Sequence, residues 1–82
     1  MQHDIKDEIN QTIADSFGVE VEDVQPDYLL LEDFNASEIE LYDLISLLEH
    51  TFDITITSEE VRQLQSVSDL QELLLDKLNE VI

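Results

Sequence analysis

The residues with most chemical content lie together in the run Ser37-Glu38-Ile39-Glu40, with Asp43 one turn further on. A serine used as a nucleophile needs a base within reach, itself oriented by a third group. No Ser-His-Asp grouping stands at a recognisable turn, and there is no HExxH and no glycine-rich phosphate cradle. Ser37 has a plainer role, because Glu40 three residues on makes a capping box that opens a helix. Glu38 then falls in the first helical turn, where a carboxylate gains ~0.3–1 kcal/mol from the helix dipole. With 21 acidic residues in 82, pairs of carboxylates carry little information. An EF-hand would need alternating Asp/Asn ligands around a central glycine and a closing Glu, and no such run exists. His3 and His50 are too few and too far apart for a metal site.

The element that positions these residues is a helix running from Ser37 to Phe52. At 100° per residue, Leu41, Leu44, Ile45, Leu48 and Phe52 share one side and form a stripe for the core. Asp43, Ser46 and His50 lie opposite, with Ile39 among them. An isoleucine there is either a single exposed apolar residue of the common kind or a contact for a partner. A first helix is predicted over residues 4–17, from Ile5, Ile9, Ile13 and Phe17 at every fourth position and from Asp4, Asp7 and Glu8 near its start. Gly18, the only glycine, stands where a left-handed cap would end it.

Residues 19–35 form a long connection containing Pro26, with Val19, Val21, Val24, Tyr28, Leu29, Leu30 and Leu31 too apolar for a solvated loop. They predict a loop packed across the helices. Asp53-Ile54-Thr55-Ile56-Thr57 reads as an extended linker, since no comparable strand exists to pair with it. Ser58 or Thr57 should cap a short helix reaching about Leu64. Ser68 with Gln71 should open a last helix through about Glu80 that buries Leu70, Leu73, Leu74 and Leu78. Val81 and Ile82 would cover the edge. The expected fold is all-α, a single domain over residues 1–82 with three main helices, one short helix and a long loop between the first two. Leu48 and Phe52 should pack together against Ile9, Ile13 and the last helix.

Composition narrows the function. Three basic residues against 21 acidic ones give a formal charge of −18, which excludes nucleic-acid binding by phosphate neutralisation. The chain lacks cysteine, so disulfides and thiolate metal sites are excluded. The longest apolar runs, such as Leu73–Leu75, are far too short to cross a bilayer. Met1 is followed by neither a basic nor an apolar leader segment, so a cytoplasmic location is expected. At 43% apolar residues the chain should fold rather than remain a disordered acidic tail. The charge keeps it soluble, steers it toward basic partner surfaces, or does both. Added salt and divalent cations should stabilise it, and mild acid should act in the same direction at first.

The order of parts resembles the acyl carrier protein family. Phe17-Gly18-Val19, then Val24, then Glu32-Asp33-Phe34-Asn35-Ala36, the acidic helix ending in Phe52-Asp53, Glu59-Glu60 and Val67 follow that family's text from residue 17 to about 70 without a gap. The first and last helices extend the match over nearly the whole chain. The resemblance implies an antiparallel four-helix bundle and a carrier role without catalysis. In the family, 4'-phosphopantetheine is joined through a phosphodiester to a serine in Asp-Ser-Leu, and that tripeptide falls here on Ser37-Glu38-Ile39. Glu38 stands at the serine position, Ser37 at the aspartate and Asn35 at an upstream glycine. A glutamate cannot form the phosphodiester, so no cofactor is expected at the usual position; the Glu38 charge either only suits the helix dipole or stands where the resemblance places a carrier's phosphate. The alternative is a carrier bearing 4'-phosphopantetheine on the offset Ser37. Without the cofactor, the resemblance implies a monomeric docking module that meets basic surfaces of acyl-processing enzymes through Glu38, Ile39, Glu40 and Asp43.

Overall fold

The computed structural model describes residues 4–79. Its four α-helices are α1 (Ile5–Phe17), α2 (Glu38–Phe52), α3 (Ser58–Gln63) and α4 (Val67–Asn79). No strand forms among the described residues, so the all-α expectation holds. Val81 and Ile82, expected at the edge of the core, lie outside the described residues.

Local chemistry sets the helix ends. Asp4 caps α1 by accepting from the Lys6 N–H at 3.0 Å. At the other end Gly18 takes φ +70° and its N–H reaches the Ala14 carbonyl, a backbone conformation that costs glycine least. Asn35 and Asp53 adopt the same region at φ 53° and 55°, and Asp53 thereby ends α2. Both are residue types that tolerate it.

The core joins Ile9 and Ile13 of α1, Leu44 and Leu48 of α2, and Val67, Leu70 and Leu74 of α4, all fully buried. Leu41 and Ile45 complete the buried stripe of α2. Three expected members lie nearer the surface, and one of them, Leu73 of α4, is only partly buried against the core. Phe52 packs against the core only half-buried, because it sits on the last turn of α2, where the bundle gives way to solvent. Leu78 is half-buried for the same reason, being near the end of α4.

The long connection is packed, as its composition predicts, except at Leu29, which stays exposed. Val24 and Leu30 enter the core, while Phe34 meets Phe17 and Tyr28 at ring-centroid distances of 5.3 and 5.8 Å. A short 3-10 turn at Val21–Asp23 breaks its length. Its backbone is tied to the start of α4. Leu30 N–H donates to the Gln65 carbonyl at 2.8 Å, Val67 N–H to the Tyr28 carbonyl at 2.9 Å and Ser68 N–H to the Pro26 carbonyl at 2.9 Å. Among the described residues a single antiparallel bridge pairs Leu29 with Ser66, and the Asp53–Thr57 segment pairs with no strand.

One cap differs from expectation. Helix α4 begins at Val67, and its capping pair is Ser66 with Asp69 instead of Ser68 with Gln71. The Asp69 N–H donates to Ser66 Oγ at 3.2 Å and Asp69 Oδ2 accepts from the Ser66 N–H at 3.1 Å. Both pairs have the same spacing, and burial decides between them. Gln71 is only 6% exposed and its amide donates to Asn10 Oδ1 at 2.7 Å. A buried amide needs that partner and is not available to cap a helix.

Helix α3 is capped by Thr57, whose Oγ1 accepts from the Glu60 N–H at 3.2 Å while Glu60 Oε1 accepts from the Thr57 N–H at 2.9 Å. Lys77 of α4 meets the same carboxylate oxygen at 2.9 Å. The Thr57 backbone hydrogen bond, with Lys77 beside it, holds the Glu60 carboxyl below its ordinary value. A depressed carboxyl pKa stabilises the fold above the unfolded value, and that contribution is lost as pH falls through the folded value. Glu60→Gln is therefore expected to flatten the acid limb of a stability–pH curve and to leave its neutral region nearly unchanged. The effect is small, because solvent screens a surface pair. Identical acid limbs for the two proteins would remove Glu60 from the account.

Candidate functional site

The candidate site is the entrance to α2. It is delivered by a run of tight turns in which Leu29 N–H donates to Asp33 Oδ2 at 2.6 Å, Asp33 N–H to the Leu29 carbonyl at 3.2 Å and Ala36 N–H to the Leu31 carbonyl at 2.9 Å. Leu30 anchors the run in the core. Ser37 then takes an extended conformation, φ −92° and ψ 167°, and α2 begins at Glu38.

Ser37 and Glu40 form the predicted reciprocal cap. Ser37 Oγ accepts from the Glu40 N–H at 3.2 Å, and Glu40 Oε1 accepts from the Ser37 N–H at 3.0 Å. Both residues are exposed. The Ser37 hydroxyl keeps its own hydrogen, but its oxygen is committed to the helix end.

Glu38 is the first residue inside α2 and lies in solvent. It borders a cavity of about 310 Å³ whose other walls include Leu31, Leu41, Tyr42, Val61 and Arg62. A neighbouring cavity of about 350 Å³ shares Leu31, Leu41 and Leu64 with the first and carries Glu32 and Gln65 in its lining. The walls are mainly leucine, with Glu38 and Arg62 at the edge of the first cavity and Glu32 at the edge of the second.

All four residues expected to meet a partner, Glu38, Ile39, Glu40 and Asp43, are exposed on α2. Ile39 is 75% exposed, which places its side chain outside the core. Sequence reasoning missed two neighbours, Tyr42 and Leu47, which are 42% and 43% exposed. Their spacing places them near Ile39 but equally beside the core stripe, so it does not settle their exposure. Tyr42 lies three residues and Leu47 eight residues beyond Ile39, positions that flank it along a helix surface. Among the described residues, no group of three or more His, Cys, Asp or Glu could hold a metal ion. No helix of the described residues is long and apolar enough to cross a membrane.

No family model matches the chain. The acyl carrier protein of Chlamydia trachomatis serovar D is 33% identical to it over 75 residues, spanning 92% of this chain and 97% of that protein. The acyl carrier protein of Akkermansia muciniphila is 35% identical over 66 residues, 80% of this chain and 82% of that one. The crystal structure of an acyl carrier protein from Thermotoga maritima matches with a TM-score of 0.80 at 21% identity, covering 99% of this chain and 100% of the other. That last likeness is one of fold.

Proposed function

This chain belongs to the acyl carrier protein family, and we propose on that footing that it is a cofactor-free member acting as a docking module. The family consists of carriers, not catalysts; its members normally bear 4'-phosphopantetheine and work with acyl-processing enzymes. The cofactor, when bound, supplies a thiol that holds an acyl group as a thioester. The residues at the entrance to α2 do not fit its attachment. Its phosphodiester needs a hydroxyl, and the first helical residue, Glu38, has none. The adjacent hydroxyl, on Ser37, is built into the helix cap.

The observation that carries the reading is this pairing, an exposed carboxylate where α2 begins and a neighbouring serine engaged by Glu40. The retained surface, with Glu38, Glu40 and Asp43 around Ile39, suits a basic surface on an acyl-processing enzyme. The protein would do this as a monomer in the cytoplasm. A second reading rests on the exposure of Ser37, whose hydroxyl a transferase could reach. In it the chain is an acyl or aminoacyl carrier with 4'-phosphopantetheine on Ser37.

Intact mass after co-expression with a broad-specificity phosphopantetheinyl transferase separates the two. The expected result is an unchanged mass for this chain and full conversion of a Glu38→Ser variant. A gain of one phosphopantetheine on the unaltered protein, mapped to Ser37 and absent from Ser37→Ala, would establish the second reading.

A further inference from the structure

We infer, building on the docking reading above, that this chain is an antagonist of acyl transfer. It occupies the surface that acyl-transferring enzymes offer to a phosphopantetheine-bearing carrier and brings no acyl group. The inference starts from charge at one position. A phosphodiester carries a single negative charge, and so does the Glu38 carboxylate at the first residue of α2. An enzyme surface that holds a cation for the one meets an anion in the other.

Glu38 alone would be one more acid among many. What gives it a context is the apolar surface beside it. Among the described residues the exposed large hydrophobic side chains are Leu29, Ile39, Tyr42 and Leu47, and three of these four lie on α2. Ile39, Tyr42 and Leu47 would leave water only against a partner, and burial of such anchors carries most of the energy of a small interface. Asp43 lies between Ile39 and Leu47 at four-residue spacing from each, so acids and apolar groups share one face. The matching partner has an apolar centre rimmed by Lys and Arg. A second copy of this chain does not qualify, since its net charge is −18 and like charges oppose that contact.

Docking without a loadable hydroxyl has a definite kinetic consequence. Enzyme held by this chain is unavailable to a loaded carrier, and the block is relieved by more carrier. The test measures acyl transfer from the host's own loaded carrier by the host enzyme that acts on it, with this chain added, beside a direct binding titration. A raised apparent KM with unchanged kcat is expected, and the block should fade at high salt. Glu38→Gln should weaken inhibition about tenfold, equivalent to ~1.4 kcal/mol, and Ile39→Ala and Asp43→Lys should weaken it as well. Circular dichroism of each variant verifies folding.

Binding without competition, or a fall in kcat alone, would overturn antagonism and leave the docking reading standing. An absence of binding would overturn both. Full inhibition by Glu38→Gln would overturn the assignment of the carboxylate.

Discussion

Replacing Leu48 with alanine is expected to cost ~2–5 kcal/mol, a large share of the ~5–15 kcal/mol that holds a typical domain folded. Leu48 is fully buried in α2, in the same core as Ile9 and Ile13 of α1 and Leu70 and Leu74 of α4. Truncation removes apolar contacts and leaves a cavity that the surrounding helices can only partly close. The chain has few reserves against this loss. It is a small domain with a modest core, and it has no cysteine for a disulfide. Phe52→Ala is expected to cost less than Leu48→Ala, although phenylalanine is the larger residue, because Phe52 is half-buried and part of its ring already meets water. Urea denaturation of the two variants checks the order. Equal losses, or a greater loss from Phe52→Ala, would move the centre of the core toward the end of α2.

How much of this was legible in the sequence depended on how local the determining forces are. The capping box at Ser37 and Glu40 involves three successive residue spacings and was readable in full. So was the left-handed cap at Gly18, where only one residue type in the chain is free of the Cβ penalty. The stripe Leu41, Leu44, Ile45 and Leu48 follows from helical period alone. The start of α4 was not readable, because Ser66–Asp69 and Ser68–Gln71 are equally good local pairs. The choice is made by Asn10, sixty-one residues away, which takes the Gln71 amide into the core. The packed connection was visible as an excess of apolar side chains, but its tie to Gln65 and Val67 depends on backbone groups that no side-chain pattern reports. At the site, Ile39 stood out as apolar among polar neighbours. Tyr42 and Leu47 did not, since each lies beside the core stripe on the helical wheel and only packing decides which side of the boundary it takes.

Raising ionic strength from 0.01 M to 0.15 M is expected to increase the melting temperature, in contrast to a protein held together mainly by surface ion pairs. The net charge is −18, and the Cα radius of gyration is 11.9 Å. At 0.01 M the Debye length is ~30 Å, longer than the molecule's radius, so most of its charges repel one another; at 0.15 M it is ~8 Å and only near neighbours do. Folding concentrates these charges and unfolding separates them, so screening favours the folded state. The opposing contribution is small. Three basic residues limit the attractive pairs that salt could weaken, and the Lys77–Glu60 pair lies at the surface, where such pairs contribute ~0–1 kcal/mol. A net gain on the order of 1–2 kcal/mol corresponds to ~5–15 °C for a domain of this size. Mg²⁺ or Ca²⁺ should reach the same gain at lower concentration, gathering at runs such as Glu20-Glu22-Asp23 and Glu38-Glu40-Asp43 without a dedicated cage. Acid tests the same repulsion less cleanly. Protonation relieves like charges, but it also weakens the hydrogen bonds that Glu60 accepts from Thr57. Salt leaves those hydrogen bonds in place. Melting curves at the two ionic strengths, with and without millimolar Mg²⁺, measure the effect directly. A melting temperature indifferent to both would mean that the acids are balanced locally or lie too far apart to affect the fold.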